Sequence, residues 1–311
     1  MKPKNELLAT LVAGVTLIVC GGAWGEGGDT LAPAASAIVT SVPAATYAAS
    51  SSEALAYETL NAERSRCGFG LLAQNARLDQ AATAHLNYSA QNNVVDHLQE
   101  PGKTGFTGGD PADRVAAVGY DRRQVGETMS SVSFTENAEY AVRRTLSAPY
   151  HALVALHGFH DVGLAWGPTA DGFRTLVMVF GLTRNAEHQD AGKILTYPCE
   201  GSAGVFAARG AEMPTPFPAE ADAIWGQPIL VKGASDLRLA AASITGPGGS
   251  VAIKALYGDG QTTDPNRRCK AAVACVIPVA LATNTTYTAT VSGTNAGAAF
   301  TSTFSFRTGA Q

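Results

Sequence analysis

Side chains that could do chemistry are concentrated in the middle of this sequence. Five of the six histidines lie between residues 85 and 160, together with several acidic residues. His97 follows the end of a predicted helix, Glu127 follows a predicted turn or short strand, and His151 begins a predicted short helix. Imidazole nitrogens bind transition metals and exchange protons near neutral pH, and carboxylates act as general bases. We therefore expect any binding or catalytic site to lie in this part of the chain.

Motifs that mark common enzyme classes are missing from the 311 residues. The sequence has no Gly-x-Ser-x-Gly nucleophile motif, no His-Glu-x-x-His zinc helix, no P-loop, no dinucleotide-binding fingerprint and no Cys-x-x-Cys. The net charge of −4 offers no basic surface for nucleic acid, which we exclude as a partner. Charged residues make up only 15% and glycines number 33, which is typical of an exported, loop-rich protein. A hydrophobic content of 46% excludes general disorder.

Residues 1–20 are typical of an export signal. Two lysines precede an apolar run, Leu7–Val19, which is too short to span about 30 Å of hydrocarbon as a helix. The sequence around Cys20 resembles a bacterial lipobox, which implies lipidation of that cysteine. The alternative is an ordinary signal peptide that is cleaved near Ala32–Ala37. Residues 21–52 are rich in small residues and predict a flexible tether, so we expect a bacterial envelope lipoprotein or a secreted protein that meets the membrane only through its N-terminal anchor.

Four further cysteines suit an oxidising compartment. Cys67, Cys199, Cys269 and Cys275 form an even set, which allows three pairings. Cys269 and Cys275 are six positions apart between two strand-like runs, which favours a bridge across a short loop. Cys67 and Cys199 would then form a second disulfide that closes the first domain.

Helix and strand signals divide the chain into two domains, in agreement with its length. Residues 53–212 mix helices with strands and predict an α+β fold in which helices flank a small antiparallel sheet. Residues 213–222 contain three prolines and predict a stiff linker. Residues 223–311 contain short β-rich runs at about ten-residue spacing, separated by turns, and predict an all-β sandwich of immunoglobulin type.

Cap and stop residues predict five helices and two strands in the first domain. The predicted helices are Glu53–Arg66, one capped by Asn75, one opened by Asp110-Pro111, one that runs from a capping box at Ser133–Glu136 to Leu146, and Tyr150–Leu156. The predicted strands are Val162–Trp166 and Phe173–Leu182.

Five motifs follow one another over roughly residues 53–185. They are Leu60-Asn61-x-x-Arg64, Leu78-x-x-Ala81-Ala82-x-x-His85, Asp113-Arg114 with Gly119-Tyr120, Gly126-Glu127, and Ser147-Ala148-Pro149-Tyr150-His151 followed by Asp161-Val162-Gly163-Leu164. In this order they resemble the bacterial CAP superfamily, whose eukaryotic relatives are cysteine-rich secretory proteins, insect-venom allergens and pathogenesis-related plant proteins. The resemblance implies an α-β-α sandwich whose cleft holds two histidines and acidic residues.

The same resemblance assigns the cleft residues. The histidines of the cleft are similar to His97 and His151, and its acid is similar to Glu127. Two such imidazoles can bind Zn²⁺ or another divalent metal, with a carboxylate nearby to orient a ring. Thr128 stands where the family has asparagine, and Ala148 stands where eukaryotic members have a second glutamate, so we expect at most three of the four cleft side chains.

The other histidines have simpler interpretations. His85 lies on an apolar helical face and is expected to be a hydrogen-bonded core residue. His157, His160 and His188 are expected to be solvated loop residues.

The end of the chain carries a second, shorter resemblance. Leu281–Thr288 and Phe304–Thr308 resemble the end of bacterial Ig-like surface modules. That resemblance implies a spacer or an adhesive surface.

Together these observations predict an exported, lipid-anchored CAP-domain protein with an extracellular binding role. The ligand would be a small molecule, a lipid or a metal in the cleft, or a component of a cell surface. One alternative is a metal-assisted hydrolase of cell-wall or secreted peptides, with Glu127 as general base. Another is an adhesin that acts through the Ig-like domain. We favour binding over catalysis, because no nucleophile motif is present and the second glutamate is lost.

Overall fold

The computed structural model describes residues 37–169, 172–220 and 222–311. The predicted export signal and its lipidation site, Cys20, lie outside the described residues, as does the first half of the predicted tether. No helix in the described ranges is long and apolar enough to cross a membrane.

The first part of the described chain mixes helices and strands, as predicted. Its helices are α1 (Ser52–Arg66), α2 (Ala76–Asn92), α3 (Pro111–Ala117), α4 (Ala138–Leu146) and α5 (Pro149–Ala155). Its strands are β1 (Ala73–Gln74), β2 (Arg122–Ser133), β3 (Asp161–Pro168) and β4 (Phe173–Thr183). They form one sheet in the order β1-β3-β4-β2, in which β4 is antiparallel to both of its neighbours.

Strand β4 is buried on both faces of this sheet. Leu176 and Met178 belong to the same hydrophobic cluster as α1, α4 and α5, whereas Val177 and Val179 belong to the cluster that α2 and α3 form. Because successive side chains of a strand point to opposite faces, helices cover the sheet on both sides. This part is therefore a three-layer α-β-α sandwich.

Two predicted helix starts have different outcomes. Asn75 caps α2, and its side chain accepts from the backbone N–H of Arg77. The predicted capping box at Ser133–Glu136 is wrong, because Asn137 is the N-cap of α4 and accepts from the N–H of Tyr140 at 2.9 Å. Ser133 instead ends β2, since the antiparallel pairing with β4 continues up to that residue.

The rest of the chain is β-rich, as predicted. Its strands are β5 (Leu195–Tyr197), β6 (Ser202–Val205), β7 (Arg209–Gly210), β8 (Ile224–Trp225), β9 (Ile229–Lys232), β10 (Arg238–Gly246), β11 (Gly249–Ser250), β12 (Ile253–Tyr257), β13 (Val273–Pro278), β14 (Thr286–Asn295) and β15 (Ala298–Thr308). A five-stranded sheet has the order β11-β10-β14-β15-β6, and a four-stranded sheet has the order β12-β13-β9-β5. Both sheets contribute to one hydrophobic cluster, in which Val231 and Val276 of the smaller sheet join Val291 and Phe306 of the larger.

The two parts of the chain share strands and core. Strands β5 and β6 lie within the range predicted for the first domain, yet they pair with β9 and β15 of the C-terminal sheets. Residues 213–222 were expected to be a linker, but Phe217 is buried there and the carbonyl of Pro216 accepts from the Tyr257 hydroxyl at 2.8 Å. This segment is packed against its surroundings.

The end of the predicted flexible tether is held by specific contacts. The N–H of Val39 donates to Oε1 of Gln189, and the Tyr47 hydroxyl donates to Asp79 at 2.6 Å. Helix α1 then begins at Ser52, with Ser51 as its N-cap. The expectation of a flexible tether up to residue 52 is therefore wrong for its described end, because buried and half-buried polar partners fix it to the first part of the chain.

Both predicted disulfides are confirmed. Cys67 pairs with Cys199, and Cys269 pairs with Cys275. The first joins the end of α1 to the loop between β5 and β6. It therefore links the α-β-α part to the C-terminal sheets.

Candidate functional site

Glu127 is the centre of a buried polar network. It lies on β2 and is almost fully buried, and both of its carboxylate oxygens accept from Nη2 of Arg114, at 2.9 and 2.8 Å. The Nδ1–H of His97 donates to Oε1 of Glu127 at 2.7 Å. Burial alone would raise the pKa of Glu127, but the Arg114 guanidinium and the hydrogen bond from His97 outweigh burial and hold that pKa well below its usual range. The carboxylate is therefore ionised and fully engaged.

His97 is fixed by the same network. Nη1 of Arg114 donates to the backbone carbonyl of His97 at 3.0 Å, while Glu127 holds the ring at Nδ1. A neutral ring that donates from Nδ1 carries its lone pair on Nε2. Nε2 of His97 is buried and has no hydrogen-bond partner within the described chain.

His85 supports the loop that carries His97. Its Nε2–H donates to the carbonyl of Asp96 at 2.8 Å, and its Nδ1 accepts from the amide of Gln99 at 3.0 Å. Burial is the main reason that the pKa of His85 falls to about 4, so the ring is neutral at physiological pH. His85 is thus a hydrogen-bonded core residue. It binds Asp96, which precedes His97, and Gln99, which follows it.

His151 is held by a carboxylate that sequence reasoning missed. Oε1 of Glu212 accepts from Nδ1 of His151 at 2.7 Å and from the backbone N–H groups of Tyr150 and His151 at 2.9 Å each. Glu212 is 61 positions further along the chain, and no spacing rule connects residues so far apart. The expectation of at most three cleft side chains is therefore wrong, because Glu212 provides a second carboxylate.

Nε2 of His151, like Nε2 of His97, is buried and has no hydrogen-bond partner in the ranges that the structure covers. Burial is the main cause that lowers the pKa of His151, against the opposing effect of Glu212, and His97 and Arg209 lower it further.

The site therefore consists of two matching histidine–carboxylate pairs. His97 pairs with Glu127, and His151 pairs with Glu212. Among the described residues, no group of three or more histidine, cysteine or acidic side chains could hold a metal ion. A divalent metal at the two free Nε2 atoms would have only two protein ligands, because both carboxylates are occupied at the Nδ1 side of the rings.

The site is closed to solvent. His97 is 0% exposed and His151 is 3% exposed. Two surface depressions of the described chain lie elsewhere, one along the loop that contains Asp259 and the other between Tyr140 and Gln311. Neither depression is lined by His97 or His151.

The remaining histidines form a separate cluster. The ring of His157 lies 4.9 Å from that of Phe159 and 4.6 Å from that of His188, and its Nε2 is buried without a partner in the described chain. The expectation that His157 is a solvated loop residue is therefore wrong. His160 donates to the carbonyl of Glu187 at 2.8 Å and is half-buried.

Comparison with known proteins agrees with the resemblance seen in the motifs. Residues 57–180 match the model of CAP, the cysteine-rich secretory protein family. No curated protein matches the sequence.

Two solved structures are similar to part of the chain. An outer surface protein from Borrelia burgdorferi is 16% identical, with a TM-score of 0.38, and the match covers 44% of this chain and 97% of that one. An extracellular protein with an SCP domain from Bacillus anthracis is 21% identical, with a TM-score of 0.34, and the match covers 41% of this chain and 40% of that one.

Proposed function

We propose that the CAP domain at residues 57–180 makes this chain an exported binding protein whose His97 and His151 take up a divalent cation. The observation that carries the proposal is the pair of buried Nε2 atoms, each without a hydrogen-bond partner in the described chain. A buried polar group without a partner costs about 1–3 kcal/mol. A cation that binds both nitrogens would give each of them a partner and so remove this cost at both.

The surroundings of the two rings favour a cation over the other ligands we expected. The rings are buried, and a lipid or a larger molecule would need an open cleft beside them. Each Nδ1 is held by a carboxylate, which is the usual arrangement behind a metal-binding histidine. With two protein ligands, water would complete the coordination of the ion, so we expect modest affinity.

The hydrolase alternative is disfavoured. A general base must be free to take a proton from water or substrate. Glu127 is instead occupied by Arg114 and His97, and its lowered pKa makes it a weak base. Oε1 of Glu212 is likewise occupied by three N–H groups. Its Oε2 has no hydrogen-bond partner in the described chain, but it is buried away from solvent.

Export and anchoring complete the proposal. Two disulfides suit an oxidising compartment outside the cytosol. We propose lipidation at Cys20 as the means of attachment to the envelope. We also propose that the C-terminal sheets are an Ig-like module; an adhesive role for that module would require a partner that its outer surface recognises.

Calorimetric titration of the mature chain with Zn²⁺ tests the proposed function. We expect one ion per chain, and a loss of affinity in His97→Ala and in His151→Ala that exceeds the roughly 10–100-fold typical of changes to an outer-sphere partner. His160→Ala is the matched control and should bind as the unchanged protein does. Absence of Zn²⁺ binding, or equal binding by all four proteins, would overturn the proposal.

A further inference from the structure

We infer that Glu212, which lies beyond the CAP match, is the positioning residue for His151, so that the C-terminal part of the chain completes the binding site. The inference deepens the proposed function and depends on it for the identity of the ligand. The orientation of the ring can be tested without any ligand.

One oxygen of Glu212 both caps the start of α5 and accepts a hydrogen bond from the ring of His151. Helix α5 begins at Pro149, and its N-cap, Ala148, has no side chain that could accept from the first N–H groups. Oε1 of Glu212 accepts from the N–H groups of Tyr150 and His151 in place of such a cap. The same oxygen accepts from Nδ1 of His151 at 2.7 Å, so the start of the helix and the ring are fixed together.

The neighbours of Glu212 hold it against this helix. Arg209 of β7 donates from Nη1 to the carbonyl of Arg144 and to the hydroxyl of Ser147, at the junction of α4 and α5. Strand β7 pairs with β8, where the fully buried Trp225 donates to the carbonyl of Ser147 at 3.4 Å. The chain on both sides of Glu212 is thus attached to the same helix junction.

A second contact from the C-terminal part binds Tyr150, the residue before His151. The Tyr150 hydroxyl donates to Asp264 at 2.5 Å and accepts from the amide of Asn266 at 3.1 Å. Asp264 also accepts from the N–H of Cys269, whose disulfide closes this loop. Helix α5 is therefore held by the C-terminal part at its first turn from two sides.

The consequence for the site is the placement of one proton. Which nitrogen of a neutral imidazole is protonated depends on the hydrogen bond that the other makes. A carboxylate oxygen can only accept, so Glu212 keeps the proton of His151 on Nδ1. The lone pair is then on Nε2, the atom that the proposed cation needs. Without Glu212 nothing in the described surroundings selects this tautomer.

Nitrogen-15 NMR of the labelled full chain tests the inference directly, because two-bond proton–nitrogen correlations distinguish the two tautomers. We expect Nδ1–H for His151 in the unchanged protein and in Glu212→Gln, whose amide oxygen still accepts. In Glu212→Ala we expect His151 to change to Nε2–H. His97 is the internal control and should stay Nδ1–H in every variant. The affinity for Zn²⁺ should fall about 10–100-fold in Glu212→Ala and recover at least in part in Glu212→Gln.

A second variant separates ring positioning from helix capping. Ala148→Ser adds a local cap for α5 but no ring partner, so Glu212→Ala with Ala148→Ser should regain stability while His151 stays Nε2–H. Where Glu212→Ala alone does not fold, this double variant carries the test. Nδ1–H at His151 in either variant, or Nε2–H in the unchanged protein, would overturn the inference. The expected tautomers without any Zn²⁺ binding would overturn the proposed function and leave the positioning role of Glu212 intact.

Discussion

Arg64 shows how a motif residue can serve the fold and not the chemistry. The side chain is fully buried, and no carboxylate in the described chain forms an ion pair with it. Its guanidinium instead donates to the backbone carbonyls of Gly70, Phe69, Ala155 and His157 at 2.6–3.0 Å. Burial lowers the pKa of Arg64 to about 9, which is still high enough to keep the charge at neutral pH. The charge is thus used to join the turn after α1 to the end of α5.

His157 makes the stability of the fold depend on pH. Burial is the main cause that lowers its pKa well below the usual value, with contributions from His188, Lys232 and Arg64. The unfolded chain, with a histidine pKa of about 6.5, therefore binds the proton first as the pH falls. Below about pH 6.5 this group removes up to about 1.4 kcal/mol of stability per pH unit. The loss is absent above that pH.

Urea unfolding of His157→Phe between pH 7.5 and pH 5 measures this effect. Phenylalanine keeps an aromatic ring beside Phe159 but binds no proton, so the free energy of unfolding should fall less steeply with decreasing pH than in the unchanged protein. His188 remains in both proteins, and its own lowered pKa contributes to both curves. Parallel curves for the two proteins would contradict the role given to His157.

At the scale of elements, α2 and β3 meet at Gly163 more closely than any side chain allows. A Cβ at Gly163 would overlap the backbone of Leu78 and Asp79, whereas one at Gly167 of the same strand would meet only the flexible end of Leu86, at 3.1 Å. Gly163→Ala should therefore push α2 off the sheet and reduce the free energy of unfolding by about 1–3 kcal/mol or more.

Gly167→Ala is the matched control for this prediction. It adds the same methyl group to the same strand, and it should change the free energy of unfolding by clearly less, as measured by urea titration of both variants. Equal losses would show that the backbone contact at Gly163 does not set the distance between α2 and the sheet.

Elements that depend on nearby residues could be predicted from the sequence. Asn75 and Pro111 mark the starts of α2 and α3 correctly, because a cap acts on N–H groups two or three positions away. The start of α4 was placed too early, since Ser133 and Glu136 offer a capping box while Asn137, the residue actually used, offers a simpler cap. Because β2 extends to Ser133, that residue is part of a strand and cannot cap α4.

Contacts between distant residues could not be predicted. The resemblance to a known family supplied His97, Glu127 and His151, because these positions keep the order of its motifs. Glu212 approaches His151 only when the turn between β7 and β8 packs on the junction of α4 and α5, and nothing local in the sequence encodes that contact. The strand pairing of Leu195–Tyr197 with the C-terminal sheets is equally non-local.

At the scale of the whole molecule, the two parts of the chain share part of their buried core. A single hydrophobic cluster contains Leu146 and Phe159 of the α-β-α part together with Trp225, Leu230 and Ile277 of the C-terminal part. Unfolding of one part would expose the apolar surface of the other. We therefore regard the C-terminal sheets, the proposed Ig-like module, as a structural support that is packed against the α-β-α part.

The disulfide between Cys67 and Cys199 is the covalent counterpart of this shared core, and its removal tests the unity of the molecule. It spans 132 residues, whereas Cys269–Cys275 spans only 6. A cross-link stabilises by restricting the unfolded chain, by about 5 kcal/mol for the long loop and about 2 kcal/mol for the short one. Cys67→Ser with Cys199→Ser should therefore lower the free energy of unfolding more than Cys269→Ser with Cys275→Ser does. Both double variants should still unfold in one urea transition, because the core is shared. Equal losses would contradict the effect of loop length, and two separate transitions would show that the parts fold independently.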